Sequence, residues 1–283
     1  MQPAPKIVVF DLDETLGYFV ELGIFWDSLD HFLKEKTINE PTASISKQEY
    51  FDDILDLFPE FIRPNILSIL FYLKNKKKQR HCHKLMIYTN NQGPLEWAQF
   101  IKKYFEKKIH YNLFNQIIAA FKVNGKHVEI CRTTHDKSHH DLVKCTQISA
   151  DTQICFLDDN YFPEMTHDNV YYINVKPYVH DVPFEEMITR FERSEIGKKI
   201  LSTDELKATF APIMMKHFKR YAYDYLQKNE EEYEVDKIIT KKIMIHLQSF
   251  FKKQIYGESC KKKTQKNLKH GINNTTRSRP NKK

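Results

Sequence analysis

Lys-Ile-Val-Val-Phe-Asp-Leu-Asp-Glu-Thr-Leu, residues 6–16, is an apolar run that closes on Asp-x-Asp-x-Thr. Strand side chains alternate with period two, so Asp11 and Asp13 project the same way. At the end of a buried strand such a pair can hold a divalent cation, and one carboxylate can attack phosphorus while the other manages the proton. Acidic pairs also close ordinary turns, so the choice rests on the remaining sequence.

Three further strings decide it. Residues 84–93, Lys-Leu-Met-Ile-Tyr-Thr-Asn-Asn-Gln-Gly, predict a second apolar strand ending in the hydroxyl of Thr89. Residues 153–159, Gln-Ile-Cys-Phe-Leu-Asp-Asp, predict a third, ending in Asp158 and Asp159. Upstream of it Lys137 precedes Ser138, a residue type that caps the helix opening into His-His-Asp-Leu-Val. Lys144, further along that helix, is the rival cation. Strands alternating with helical stretches predict an α/β fold, a Rossmann-type parallel sheet with helices on both faces, and such sheets bind ligands outside the carboxyl ends of their strands. Asp11, Thr89 and Asp158/Asp159 all fall at such ends and are expected to meet in one crevice. Carboxylates crowded there repel one another unless a cation intervenes. Hard oxygen donors with little His or Cys among them point to Mg²⁺ rather than Zn²⁺.

Taken in order, the four strings resemble the motifs of haloacid-dehalogenase (HAD)-type phosphatases. In its Asp-Leu-Asp-Glu-Thr-Leu form the first is similar to the branch containing the small phosphatases of the RNA polymerase II C-terminal domain. Arg63-Pro64, ahead of Asn-Ile-Leu-Ser-Ile-Leu, resembles the Arg-Pro segment that opens a helix in that branch. The resemblance implies a phosphoric monoester hydrolase in which Asp11 is the nucleophile and forms an aspartyl-phosphate. Asp13 would protonate the leaving oxygen, then activate water, and offer its backbone carbonyl to Mg²⁺. Thr15 would brace the loop and orient Asp13. Thr89, Asn90 and Lys137 would hold the phosphoryl group, and Asp11, Asp13, Asp158 and Asp159 the metal. Asp159 stands where that branch often carries Asn, and Asn90-Asn91-Gln92-Gly93 departs from its usual pattern. The likeness spans roughly residues 1–200. Abundant Lys, Asn, Ile and Tyr suggest an AT-rich genome, and the chain is similar to polymerase-tail-type phosphatases encoded by large DNA viruses.

Around these motifs, 283 residues suffice for one α/β domain over 1–201, a helical extension over 202–257 and a basic tail over 258–283. The segment 17–60 is large enough for a flap or a small helical cap. Glu21 to Leu33 is amphipathic, and its stripe of Phe25, Trp26, Leu29, Phe32 and Leu33 either joins the core or lines an entrance. Residues 36–48 read as loop and Glu49 to Leu57 as a short helix. Residues 112–121 read as a strand, and Asn124-Gly125 as the turn of a hairpin at the site's mouth. Val182 to Leu201 reads as one closing helix. Two more follow, Asp204 to Gln227 with Phe210, Met214, Phe218, Tyr221 and Tyr225, and Tyr233 to Tyr256 with Ile238, Ile245, Phe250 and Phe251. They are expected to pack on the core or on each other, a homodimer interface being the alternative.

Five scattered cysteines predict a reducing, intracellular setting, cytoplasmic or nuclear (that of the host cell if the chain is viral), without a disulfide framework. His81-Cys82-His83 matches no common zinc spacing and reads as a solvated loop. No stretch reaches the roughly 18 apolar residues of a membrane span, and residues 1–5 are too short and polar for a signal peptide. The tail is expected to be disordered and open to weak nucleic-acid contact or nuclear import. Three functions stand: a Mg²⁺-dependent phosphatase of phosphoserine or phosphothreonine proteins, a small-molecule or polynucleotide-end phosphatase of the same fold, and a binding or scaffold protein acting through extension and tail.

Overall fold

The computed structural model describes residues 4–36, 38, 46–221 and 228–252. The 258–283 tail, residue 37, residues 39–45 of the expected loop, Tyr225 and the end of the last expected helix lie outside the described residues. Five parallel strands form one sheet in the order β3-β2-β1-β6-β7. They are β1 (Lys6–Phe10), β2 (Lys84–Tyr88), β3 (Gln116–Ile118), β6 (Gln153–Asp158) and β7 (Val170–Asn174), with a separate hairpin of β4 (Lys122–Val123) and β5 (Lys126–His127). β1 lies between β2 and β6, in register Val8↔Leu85 and Val8↔Cys155. The chain therefore leaves β1 toward one edge and later returns to its other side, which makes the end of β1 the point where strand order reverses.

Strand alternation fills both faces. Val8, Phe10, Leu85, Ile87, Cys155 and Leu157 join the larger core, and Ile7, Val9, Met86, Tyr88, Ile154 and Phe156 the smaller one. The larger core takes in α1 (Val20–Glu35), α3 (Ile66–Lys78), α4 (Leu95–Ile109) and α6 (Phe184–Arg193), whereas α5 (His139–Thr146) contributes Leu142 to the smaller one. The fold is thus α/β, a parallel sheet between helices. In α1 the expected stripe divides. Phe25, Leu29, Phe32 and Leu33 are buried, while Trp26 lies at the margin, edge-on to Phe51 and Trp97. Ser46 and Glu49 form a reciprocal capping box that starts α2 (Lys47–Asp56).

Several elements differ from their sequence-based outlines. The third strand keeps only Gln116–Ile118 of the expected ten residues. The closing helix is two, α6 and α7 (Glu195–Ile200). Ser194 turns extended between them, and its hydroxyl caps the Gly197 N–H at 2.9 Å. A Cβ on Gly197 would lie 1.8 Å from the Phe191 carbonyl oxygen, so only glycine permits this corner. The extension packs on the main core. Phe210 and Phe218 of α8 (Asp204–Phe218) meet Phe32 and Phe184, with ring centroids 5.0 and 4.1 Å apart. In α9 (Glu230–Lys252) the buried face is Thr240, Ile243, Leu247 and Phe250, while Ile238 and Ile245 are about half exposed. Of the expected stripe Phe250 is buried, whereas Ile238 and Ile245 lie on nearly the opposite side of the helix, and Lys6 donates to the Phe250 carbonyl at 2.7 Å. Cys131 and Cys145 are disulfide-bonded, with Cα atoms 5.1 Å apart, contrary to the expectation of free thiols. The segment they bound doubles back, bringing the end of α5 beside its start. Among the described residues no helix is long and apolar enough to cross a membrane.

Candidate active site

Asp11 follows the last residue of β1, and its N–H extends the ladder by donating to the Leu157 carbonyl at 2.8 Å. Thr89 does the same beyond β2, donating to the Ile118 carbonyl at 3.0 Å. Asp158 ends β6. The sheet thus brings its three strand ends to one edge, and Asp11, Thr89, Lys137 and Asp158 are all buried there. The Lys137 ammonium bridges Asp11 and Asp158, the latter at 2.7 Å. The ammonium also faces the rings of Tyr88 and Phe162, whose centroids are 5.8 and 5.5 Å from Nζ. Lys144 lies in the last turn of α5, so Lys137 is the cation of the cluster.

Burial pulls the Lys137 pKa down, but the charges of Asp11 and Asp158 outweigh it and hold the ammonium above its ordinary value. Burial also pushes Asp158 up to about 7, against the pull of Lys137. Asp13, half-buried, is raised to about 7 by burial first and then by the charge of Asp11. Carboxylate oxygens of Asp11, Asp158 and Asp159 lie within 4.8 Å of one another. Three hard anionic oxygens converging beside a single ammonium fit Mg²⁺, which takes carboxylates and water, better than a nitrogen- or sulfur-seeking metal.

The residues that orient this cluster are ones sequence reasoning did not assign. Asn91 donates from Nδ2 to Asp13 Oδ2 at 2.8 Å. Its own N–H bonds the Thr89 hydroxyl oxygen at 3.0 Å, and its Oδ1 accepts the Gly93 N–H at 2.8 Å, which fixes the amide orientation. Thr15, expected to orient Asp13, instead donates to Asp159 Oδ1 at 3.2 Å. The Asx turn after Thr89 puts an amide closer to Asp13 than the first loop can. Asn90 is occupied differently, its Oδ1 accepting from Arg132 at 2.8 Å.

Two buried arginines frame the loops. Arg63 donates to the carbonyls of Glu14, Thr15 and Lys176, which pins the turn after Asp11. In that turn Glu14 adopts a φ of 58°, and a Cβ on Gly17 would meet the Phe61 carbonyl at 2.4 Å. Arg132 donates to the carbonyls of Thr89, Ala119 and His135 and stacks on Tyr88, 4.8 Å from its centroid. Asp141 accepts from Thr133 N–H and hydroxyl, and its N–H donates to the Ser138 cap. With the disulfide, these contacts fix the loop that delivers Lys137. Arg63 was visible only as half of an Arg-Pro pair, and no sequence signal marks Arg132.

Beside the cluster lies a cleft of about 960 Å³ whose lining includes Phe19, Trp26, Tyr50, Asn91, Trp97 and Phe100. A smaller cavity of about 250 Å³ reaches from Thr89 and Asn91 to Val123 and Val128 at the hairpin. The hairpin turn is as the sequence predicts, with Asn124 and Gly125 at φ 50° and 76°. His81-Cys82-His83 brings no ligand set together among the described residues. Cys82 is buried and donates to the Lys84 carbonyl at 3.3 Å.

No protein-family model and no curated protein matches the chain. Among solved structures, a HAD-superfamily hydrolase from Ehrlichia chaffeensis superposes with a TM-score of 0.31 at 16% identity, covering 58% of this chain and 83% of that one. A superposition that loose carries no argument about activity, which has to come from the site.

Proposed function

We propose that the chain is a Mg²⁺-dependent phosphoric monoester hydrolase of HAD type that works through an aspartyl-phosphate on Asp11. The observation that carries this reading is the convergence, at the strand-order switch point, of a buried carboxylate paired with a buried lysine and a second carboxylate two residues on. In the first step an Asp11 oxygen attacks phosphorus, and the ester oxygen leaves with a proton from Asp13. In the second, Asp13 takes a proton from water, the water oxygen attacks phosphorus, and the Asp11 carboxylate is released with inorganic phosphate. Asn91 keeps the Asp13 carboxyl aimed through both steps. Thr89 Oγ1 accepts the Asn91 N–H, which leaves its own proton for a phosphoryl oxygen. Lys137 neutralises the nucleophile and Asp158 and supplies positive charge beside the transferring group. When bound, Mg²⁺ on Asp11, Asp158, Asp159 and the Asp13 carbonyl would offset the remaining carboxylate charge and that of the phosphoryl oxygens.

A phosphoserine or phosphothreonine protein is the favoured substrate, supported by the likeness of the first motif to polymerase-tail phosphatases and by the aromatic cleft of about 960 Å³ beside the cluster. The volume of that cleft also lies within the range of small-molecule sites, and α1 and α2 border it as a cap would, which favours an apolar small phosphomonoester as the second reading. Phosphate release should be measured from an aryl phosphate and a panel of Ser/Thr phosphopeptides, with EDTA and Asp11→Asn as controls. Peptide turnover abolished by both supports the protein substrate, and turnover of the aryl phosphate alone moves the reading to small molecules. Silence on both, from folded protein, refutes the enzyme and leaves the scaffold reading.

A further inference from the structure

A second cluster of metal-ligating side chains lies away from the acidic site. His31 and Glu35 are four apart on α1 and so share a face. His217, in the last turn of α8, is buried against them, its ring centroid 3.8 Å from that of His31 with the planes nearly perpendicular. One donor atom from each of the three lies within 4.8 Å of the other two. Nitrogen and oxygen ligands of a tetrahedral zinc ion sit about 2.0–2.2 Å from the metal, hence about 3.5 Å from each other. The closure needed is on the order of 1 Å, and Glu35 is an exposed side chain free to rotate through it. Arg220 approaches His217 Nδ1 at 3.4 Å, a long contact from an exposed guanidinium, so it yields to a ligand without uncovering the core.

We propose that His31, Glu35 and His217 bind a divalent transition metal of the Zn²⁺ class and thereby clasp α8 to α1. Two imidazoles with one carboxylate are a borderline-soft set, unlike the all-oxygen cluster at Asp11, so the two sites select different ions. Three protein ligands leave a fourth position, which opens on a cavity of about 300 Å³ lined by Asp27, Asp30 and Lys34. Those three residues also line the aromatic cleft. The metal therefore sits behind the wall of that cleft, and its fourth ligand is water or a group arriving through the cavity.

The test is a Co²⁺ titration of the full chain, stripped by chelation and held in excess Mg²⁺ to occupy the acidic cluster. One equivalent of Co²⁺ should produce the intense visible d–d bands of a tetrahedral site, and Zn²⁺ should abolish them. His31→Gln and Glu35→Gln, both at positions that are not fully buried, should each weaken Co²⁺ binding at least tenfold, whereas Asp11→Asn should leave it unchanged. His217→Gln should do the same as His31→Gln where it folds. Absence of the bands, their persistence in both His31→Gln and Glu35→Gln, or their loss in Asp11→Asn would each overturn the assignment.

Discussion

Replacing Arg63 with methionine separates the frame of the site from its chemistry. The guanidinium donates to the carbonyls of Glu14 at 2.6 Å, Thr15 at 2.7 Å and Lys176 at 2.9 Å. Bonds from a charged donor contribute about 1.5–3 kcal/mol each, so the three sum to about 5–9 kcal/mol. Against them stands the charge. Burial holds the guanidinium pKa down at about 10, well below its ordinary value, and removing the charge returns about 3 kcal/mol. The net loss is therefore about 2–6 kcal/mol, despite the Glu14 carbonyl keeping the Tyr178 N–H at 2.8 Å. Urea unfolding followed through Trp26 and Trp97 should show a midpoint lower by about 1 M or more. In folded protein at low temperature, Mg²⁺-dependent phosphate release should fall at least about tenfold, because the turn after Asp11 and Asp13 is no longer pinned. Arg63→Lys should recover only part of either loss, since an ammonium cannot span three carbonyls in one plane. An unchanged urea midpoint for Arg63→Met would refute the reasoning, and full activity would refute its link to the site.

Asn91→Ala removes the donor that holds Asp13 and should lower kcat about ten- to a hundredfold with KM little changed; steady-state kinetics on an aryl phosphate decide it, and an unaltered kcat would show that Asp13 is positioned otherwise. Glu21 is buried in α1, and burial, with the Asp181 charge, raises its pKa to about 8 although it accepts the Val182 N–H. Its protonated form is favoured by folding, so its contribution is fully present below about pH 4.5 and is lost as pH rises through about 8. The ceiling on that loss is ~5 kcal/mol, and about 2 kcal/mol is expected once partial water access is allowed. Stability measured by denaturant from pH 5 to 8 should fall for the native chain relative to Glu21→Gln, and parallel curves would contradict the burial argument. Reducing the Cys131–Cys145 bond opens a loop of about 15 residues, worth ~3 kcal/mol, and should lower Tm by about 6–12 °C. Cys131→Ser/Cys145→Ser should match the reduced protein, and a Tm insensitive to reductant would count against the bond.

What the sequence made legible is what strands and caps write locally. β1, β2 and β6 are buried on both faces, so they read as continuous apolar runs, and the polar residue that stops each run marks the carboxyl edge of the sheet. Asp11, Thr89 and Asp158 were found that way, and Lys137 through the helix cap at Ser138. The orienting residues were not, because their partners are backbone carbonyls and a side chain brought near only by the tertiary fold. Nothing in the string around Arg132 says that the ends of β2 and β3 will lie beside it. Periodicity runs unbroken through Ser194, so the break between α6 and α7 depends on a contact with the Phe191 carbonyl that no period records. In α9 several apolar stripes compete, and the one carrying Ile243, Leu247 and Phe250 is picked out by packing on the main core, which the local sequence does not record.

Arg63, Arg132 and Lys137, all buried, divide their work by shape. A guanidinium carries a flat fork of donors and keeps its charge when desolvated, which suits it to gathering neutral carbonyls from separate segments. Arg63 does this for the loop after β1 and the segment after β7, and Arg132 for the ends of β2 and β3 and the loop before Lys137. Neither side chain makes an ion pair among the described residues, so both charges rest on carbonyl and amide oxygens and on the ring faces of Tyr178 and Tyr88. Lysine, a compact point charge, stands where two carboxylates must be neutralised. The arginines fix where the strand ends stand, and only then can one ammonium reach both Asp11 and Asp158. Rigidity of the backbone frame is therefore a precondition for the electrostatics of the cluster, which is how residues that touch none of the carboxylates still set its geometry.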